Sequence, residues 1–164
     1  MPVIDILCEH EGWSAVAGLE ERIERAVSAA LAASGVRLLE AAEVAILLTD
    51  DAAVRTLNAA WRGKDTATNV LSFPAAEGAR LATSPMIGDI AVAFETCQRE
   101  AEAEGKSLGD HAVHLAVHGA LHLVGFDHET DEDAERMEGL ERQLLASFGI
   151  ADPYAVREPA EART

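Results

Sequence analysis

The segment from Leu108 to His128 restricts the fold more than any other part of the chain. Between Leu108 and Val124 nearly every position is apolar or histidine, and His111, His114, His118 and His122 fall in one stripe at helical spacing. A helix with so little polar surface has to be central and covered on most sides. Ser107, with Asp110 three residues on, supplies a capping signal at its start. Gly125 supplies the stop, because glycine enters the left-handed conformation past a helix end without a Cβ penalty.

On that helix His118 and His122 are one turn apart and about 40° apart around the axis, so both imidazoles can reach one point. The chain reversing at Gly125 can deliver His128 to the same point. A lone histidine on an apolar face is ordinarily a satisfied interior group. Three at H-x3-H-x5-H spacing, with a helix-ending glycine between the last two, point instead to a metal. Three neutral nitrogens with a fourth position open is the arrangement of a catalytic zinc site, so one zinc per chain on His118, His122 and His128 is expected. His111 and His114 are then structural or support the ligands. Asp127 can orient a ligand, bind water on the metal or start the turn. The spacing equals that of H-E-x-x-H-x-x-G-x-x-H metalloproteases, but Gly119 stands where those enzymes carry their glutamate base. No other acid lies between His118 and His122, so peptide hydrolysis by carboxylate-activated water lacks its proton acceptor.

The remaining periodicities supply a sheet for this helix. Residues 3–8 read as a strand buried on both faces, and Val16, Leu19, Ile23, Val27 and Leu31 as the core stripe of a helix beginning at Ser14 and closed by Gly35. Glu20, Glu21, Arg22, Glu24 and Arg25 form its solvated side. Residues 43–49 contain a second strand, and Asp50 caps a helix expected to bury Val54, Leu57 and Trp61 and to end at Gly63. After the polar turn Arg62–Asn69 come a strand at 70–73, a loop from Ala75 to Met86, and a strand at 87–93. Gly88 in that last strand permits close approach of another backbone or a substrate, or marks a bulge. A helix over 94–104, the histidine helix and an acidic-capped helix with the stripe Met137, Leu140, Leu144 and Phe148 complete the order. Residues 151–164, with two prolines, three acids and little to bury, are expected to fray as a flexible tail. The fold class predicted is α+β, a small mixed four-stranded sheet packed with about five helices, zincin-like, its metal-binding histidine helix central.

With 164 residues, the chain suits one domain. Its formal charge of −16 argues against a general nucleic-acid or anionic-membrane surface, so any RNA contact has to be local. No apolar run approaches the ~20 residues of a membrane span, and no basic leader is present, which predicts a cytoplasmic protein. Cys8 and Cys97 are isolated, as suits a reducing compartment.

The run Asp110–His128 closely resembles the signature of the bacterial YbeY family, metal-dependent endoribonucleases also called rRNA maturation factors. Leu57–Pro74 is similar to the family's L-N-x-x-[YF]-R-x-K-D-x-P-T-D-V-L-S-F-P run, Ile87-Gly88-Asp89-Ile90 to its L-G-D-I strand, and the helix containing Met137-Glu138-Gly139-Leu140-Glu141 to its acidic helix. Trp61 replaces the usual tyrosine or phenylalanine, Ala67 a proline and Asn69 an aspartate. The resemblance spans about residues 40–150; with the one-domain reading it implies a single metal-dependent hydrolase domain at 1–150, and it implies a single-strand-specific endoribonuclease acting in small-subunit (16S) rRNA 3′-end maturation and ribosome quality control. It implies His118, His122 and His128 as zinc ligands, Arg62 as the substrate-side cation, and Arg62 and His118, with Asp127 a further candidate, as catalytic residues. Lys64 and Gly88 join Arg62 as substrate-binding candidates. The implied partners are single-stranded rRNA, the ribosome or a small-subunit ribosomal protein, and an assembly GTPase. Two other readings stand beside it: a zinc-stabilised assembly factor without robust nuclease activity, which the acidity suits, and a metalloprotease, against which Gly119 speaks.

Overall fold

The computed structural model describes residues 2–155. Its elements follow the expected order: β1 (Val3–Cys8), α1 (Leu19–Ala33), β2 (Glu43–Thr49), α2 (Asp51–Arg62), β3 (Val70–Pro74), β4 (Met86–Ala93), α3 (Phe94–Glu104), α4 (Leu108–Leu123) and α5 (Asp131–Ser147). Short 3-10 helices occur at Glu11–Ala15 and Gly78–Thr83. The strands form one mixed sheet in the order β1-β2-β4-β3, with β1, β2 and β4 parallel and β3 antiparallel to β4. This is the α+β architecture the periodicities predict. No helix among the described residues is long and apolar enough to cross a membrane.

Alternate residues of a strand face opposite sides of a sheet, and here the two sides have different environments. Ile4, Val44, Ile46, Leu48, Ile90 and Val92 enter the main core with Ile23, Val27 and Leu31 of α1, Val113, Val117 and Leu121 of α4, and Met137 and Leu145 of α5. Helix α4 touches α1, α3, α5, β3 and β4, which accounts for its nearly continuous apolar circumference. Only Leu108, Asp110, His118 and His122 on this helix escape full burial. At Gly119 it presses so closely on the sheet that a Cβ would lie 3.0 Å from both Ile90 Cγ2 and Ser72 Oγ. The Ser72 hydroxyl donates to the Gly119 carbonyl there at 3.1 Å.

The other side of the sheet is covered only in part. Helix α2 closes a small patch of Val54, Leu71, Ala91 and Ala93, with Leu47, Leu57 and Phe73 packed against it. Val3, Asp5 and Leu7 of the edge strand β1 are left exposed on that side. The expectation that β1 is buried on both faces therefore fails: only its Ile4 is buried, because α2 packs on β3 and β4 and does not extend over the edge. Trp61 corrects the reading in the same way. It lies seven residues after Val54, on the inward face, but at the margin of the patch, and it is 73% exposed.

Two boundaries also differ. Helix α1 starts at Leu19 rather than Ser14, since Gly18 at φ 69° breaks the backbone after the 3-10 turn that buries Trp13. The loop between β3 and β4 contains a second 3-10 turn whose Leu81 is buried. Arg22 is not purely solvated, because its Nη2 lies 2.6 Å from Asp110 Oδ1 and joins α1 to α4. The expected caps form: Asp50 Oδ1 accepts from Ala53 N at 2.8 Å, and Ser107 Oγ from Asp110 N at 3.1 Å. Of the predicted tail, Ala151–Ala155 are described, and Tyr154 packs against α5 rather than leaving it. Residues 156–164 lie outside the described residues.

Candidate metal centre

The end of α4 carries the histidines to a common point. His118 and His122 occupy its one accessible flank, and past Val124 the chain reverses through Gly125 at φ 103°, with Phe126 N donating to Leu121 O at 3.0 Å. Asp127 Oδ1 then accepts from Glu129 N at 3.2 Å, a local turn of the segment that bears His128. Of the three functions open to Asp127, this geometry supplies the turn.

One ring nitrogen from each of His118, His122 and His128 lies within 4.8 Å of the others. The ring centroids are 4.6 Å apart for His118 and His122, 5.0 Å for His122 and His128, and 5.5 Å for His118 and His128. His118 Nδ1 lies 2.7 Å from Glu141 Oε2. An ionised carboxylate only accepts, so Nδ1 carries the proton of this bond and Nε2 is the nitrogen turned to the cluster, 3.1 Å from His122 Nε2. Burial, followed by repulsion from His118 and His128, lowers the His122 pKa to about 4, which keeps its nitrogen unprotonated at neutral pH as a ligand requires. Three convergent imidazoles, one held by a carboxylate on its far nitrogen, fit a zinc ion in donor type and number.

Glu141 is the residue that sequence reasoning left without a role. It is fully buried. Burial raises its pKa, but hydrogen bonds from His114, His118 and Tyr154 outweigh that and hold it at about 2. His114 Nε2 lies 3.2 Å from Glu141 Oε1, and the Tyr154 hydroxyl donates to the same oxygen. Burial and the adjacent carboxylate push the Tyr154 phenol pKa well up, so it stays a donor. The available signal was position: Glu141 falls four residues after Met137 and four before Leu145, on the buried face of α5, where a carboxylate needs a partner. Further along α4, His111 Nε2 lies 2.8 Å from Glu100 Oε1, which also accepts from Asn69 Nδ2 at 3.0 Å. Asn69 thus makes a donation that an aspartate could not.

The histidines open onto a cleft of about 1080 Å³ whose other walls include Trp61 and Arg62 of α2, Ser72 and Phe73 of β3, and Asp5, Leu7 and Asp89 on the sheet. Arg62 is exposed at the end of α2 and shares this cleft with the histidines. Lys64 is exposed but does not line the cleft, and neither does Gly88. A Cβ at Gly88 would lie 2.5 Å from Phe73 O and 2.6 Å from Leu123 Cδ2, beside the register shift where Glu43 and Val44 face Met86 and Gly88. Close backbone packing at a bulge accounts for that glycine.

The family model described as Endoribonuclease YbeY matches residues 9–149. An Endoribonuclease YbeY of Azorhizobium caulinodans is 54% identical over 96% of this chain and 98% of its own length. Another, from Nitrobacter winogradskyi, is 55% identical over 96% of this chain and 84% of its own. The solution structure of TM1509 from Thermotoga maritima shares the fold, with a TM-score of 0.55 at 23% identity over 94% of this chain and all of that one. By the family match and by relatives more than half identical over nearly its whole length, this chain belongs to the YbeY endoribonuclease family.

Proposed function

We propose that this protein is a zinc-dependent endoribonuclease that cuts single-stranded RNA, and that residues 1–150 form its one hydrolase domain. The observation that carries this reading is the convergence of three imidazoles on an open cleft that also holds an arginine, in a chain of this family. A zinc ion on His118, His122 and His128 would supply Lewis acidity at a phosphoryl oxygen. Glu141 would hold His118 with its Nε2 toward the ion by accepting the Nδ1 proton. Arg62 would bind a nonbridging phosphate oxygen and offset negative charge as the bond to the leaving oxygen breaks. Asp127 would act by shaping the turn that presents His128. By the family resemblance, the substrate is small-subunit (16S) rRNA near its 3′ end, the setting ribosome quality control in the cytoplasm, and the partners a small-subunit ribosomal protein and an assembly GTPase.

A second reading, a zinc-stabilised assembly factor with weak or no nuclease activity of its own, draws support from the charge of −16, which suits basic ribosomal proteins better than free RNA. A metalloprotease has no such support. Position 119 is a glycine, so the base of those enzymes is missing, and a Cβ there would already meet Ile90 Cγ2 and Ser72 Oγ at 3.0 Å. The test is to incubate metal-loaded protein with single-stranded RNA, duplex RNA and casein beside His118→Ala. Cleavage of single-stranded RNA that the variant loses supports the nuclease. Cleavage of none of the three by the wild type selects the assembly factor.

A further inference from the structure

Trp61 is a large ring in an unexpected state. Its place in the sequence, seven residues after the buried Val54 and four after Leu57, belongs to the inward stripe of α2, yet it is 73% exposed. The other tryptophan, Trp13, is 2% exposed, with its indole N–H donating to Thr49 O at 3.0 Å. Trp61 has one aromatic neighbour: the Phe73 ring lies 6.4 Å away, tilted by 57°. Phe73 is half-buried, so it props Trp61 from beneath while the rest of the indole faces the cleft.

Charge around this ring is divided by position. The residue after Trp61 is Arg62, exposed on the α2 rim of the same cleft. The sheet side of the cleft carries carboxylates. Asp89 pairs with Phe73 across β3 and β4, and Asp5 stands in line with it through Ala45 on β2. Both are exposed. In a chain of charge −16 a polyanion is repelled from most of the surface and from this floor in particular, so a phosphate backbone can enter only along the arginine rim. Bases are uncharged, and their amino groups are donors, so they tolerate a floor of carboxylates that phosphates do not.

We infer that Trp61, backed by Phe73, is a stacking platform for an unpaired nucleobase of single-stranded RNA, whose phosphates run along the α2 rim past Arg62 toward the three histidines. The inference rests on the endoribonuclease reading of the same cleft. It gives selectivity for single strands a physical source: an unpaired base has a face free for an aromatic ring, whereas a base inside a duplex has both faces occupied by its neighbours. It also gives an aromatic residue immediately before the arginine a chemical purpose, because both side chains line the one cleft, where the ring can take a base and the guanidinium a phosphate of the same strand.

The experiment is a binding titration of full-length, metal-loaded protein with a short 2′-O-methyl oligoribonucleotide, which lacks the 2′-hydroxyl, followed by tryptophan fluorescence and by anisotropy of a labelled strand. Because Trp13 is buried, the exposed indole reports. The single strand should quench Trp61 emission, and the same strand annealed to its complement should quench far less. Trp61→Ala should abolish the quench and weaken binding about tenfold or more, the scale of one base stacked on one ring. Trp61→Phe should keep most of the affinity, and metal content and thermal midpoint should match the wild type in both variants. Trp61→Ala binding the single strand within about twofold of wild type, while both proteins cleave single-stranded RNA equally, would overturn the platform and leave the nuclease intact. Trp61 emission unmoved by RNA but shifted by a basic ribosomal protein would overturn it in favour of a protein contact. A wild type that neither binds nor cleaves single-stranded RNA would remove the nuclease reading and the platform with it.

Discussion

The most exacting perturbation is at Glu141, because one buried carboxylate holds His118, His114 and the Tyr154 hydroxyl together. Glu141→Gln keeps the volume and can still accept the His118 Nδ1 proton, but it removes the charge that makes His118 a better ligand. Its amide NH2 then faces His114 Nε2, and that ring can accept only by moving its proton to Nδ1, a buried atom with no partner among the described residues. Loss of a hydrogen-bonding partner behind a metal ligand costs about 10- to 100-fold in metal affinity. The glutamine variant should sit near the lower figure, about 1.4 kcal/mol, since the geometry survives. Glu141→Leu removes the acceptor altogether. His118 can then rotate, and His118, His114 and Tyr154 each lose the buried carboxylate as a partner at about 1–3 kcal/mol apiece, so affinity and stability should both fall further. Zinc affinity by competition with a chromophoric chelator, and the proton on the His118 ring nitrogens by NMR, read the two effects separately. The order expected is wild type, then Gln, then Leu. A leucine variant that binds zinc within about twofold of wild type, with His118 Nδ1 still protonated, would refute the positioning argument.

The metal-free protein should lose stability on acidification in two stages. The folded-state pKa of His122, about 4, lies below its ordinary 6.5, so the unfolded chain takes up that proton first and stability falls between those values. Glu141, held at about 2 against an ordinary 4.5, then contributes a further loss from 4.5 downward, and urea midpoints that do not move between neutral pH and pH about 4 would contradict the first stage. Gly119→Glu should lower the thermal midpoint, since even its Cβ meets Ile90 and Ser72 at 3.0 Å and overpacking costs about 1–3 kcal/mol; a stable variant with casein-cleaving activity would overturn the account of that position. Arg62→Glu should abolish RNA cleavage while leaving zinc content and thermal midpoint unchanged, and Arg62→Lys should also be impaired, as a point charge lacks the planar fork. Arg25→Glu, on the exposed side of α1, is the matched control, because Arg22 is tied to Asp110; equal cleavage by Arg62→Glu and this control would make Arg62 ordinary surface charge.

Where local rules decide, the sequence was legible. The order of strands and helices follows from apolar period, Asp50 and Ser107 cap their helices through side-chain acceptors, and the reversal at Gly125 brings His128 back to His118 and His122. What escaped depends on tertiary coverage. Periodicity puts Trp61 and the alternate residues of β1 on a particular side, but whether anything lies over them depends on where α2 sits, and α2 spans only part of the sheet. Glu141 escaped because its partners are distant in sequence: His118 is 23 residues away, and only packing of α5 on α4 joins them. Arg22 was likewise misread, since its carboxylate lies 88 residues on. Gly88 had a strand-local ambiguity that the neighbouring Phe73 carbonyl and Leu123 resolve.

The central claim is that His118, His122 and His128 hold the metal on which cleavage depends. The direct measurement is cleavage of single-stranded RNA by wild type as purified, after chelation, and after return of one equivalent of zinc, beside the triple alanine variant of those histidines. The account predicts activity that chelation removes and zinc restores in the wild type, and no activity in the variant at any zinc level. Cleavage that persists through chelation, or that the triple variant retains, would contradict it.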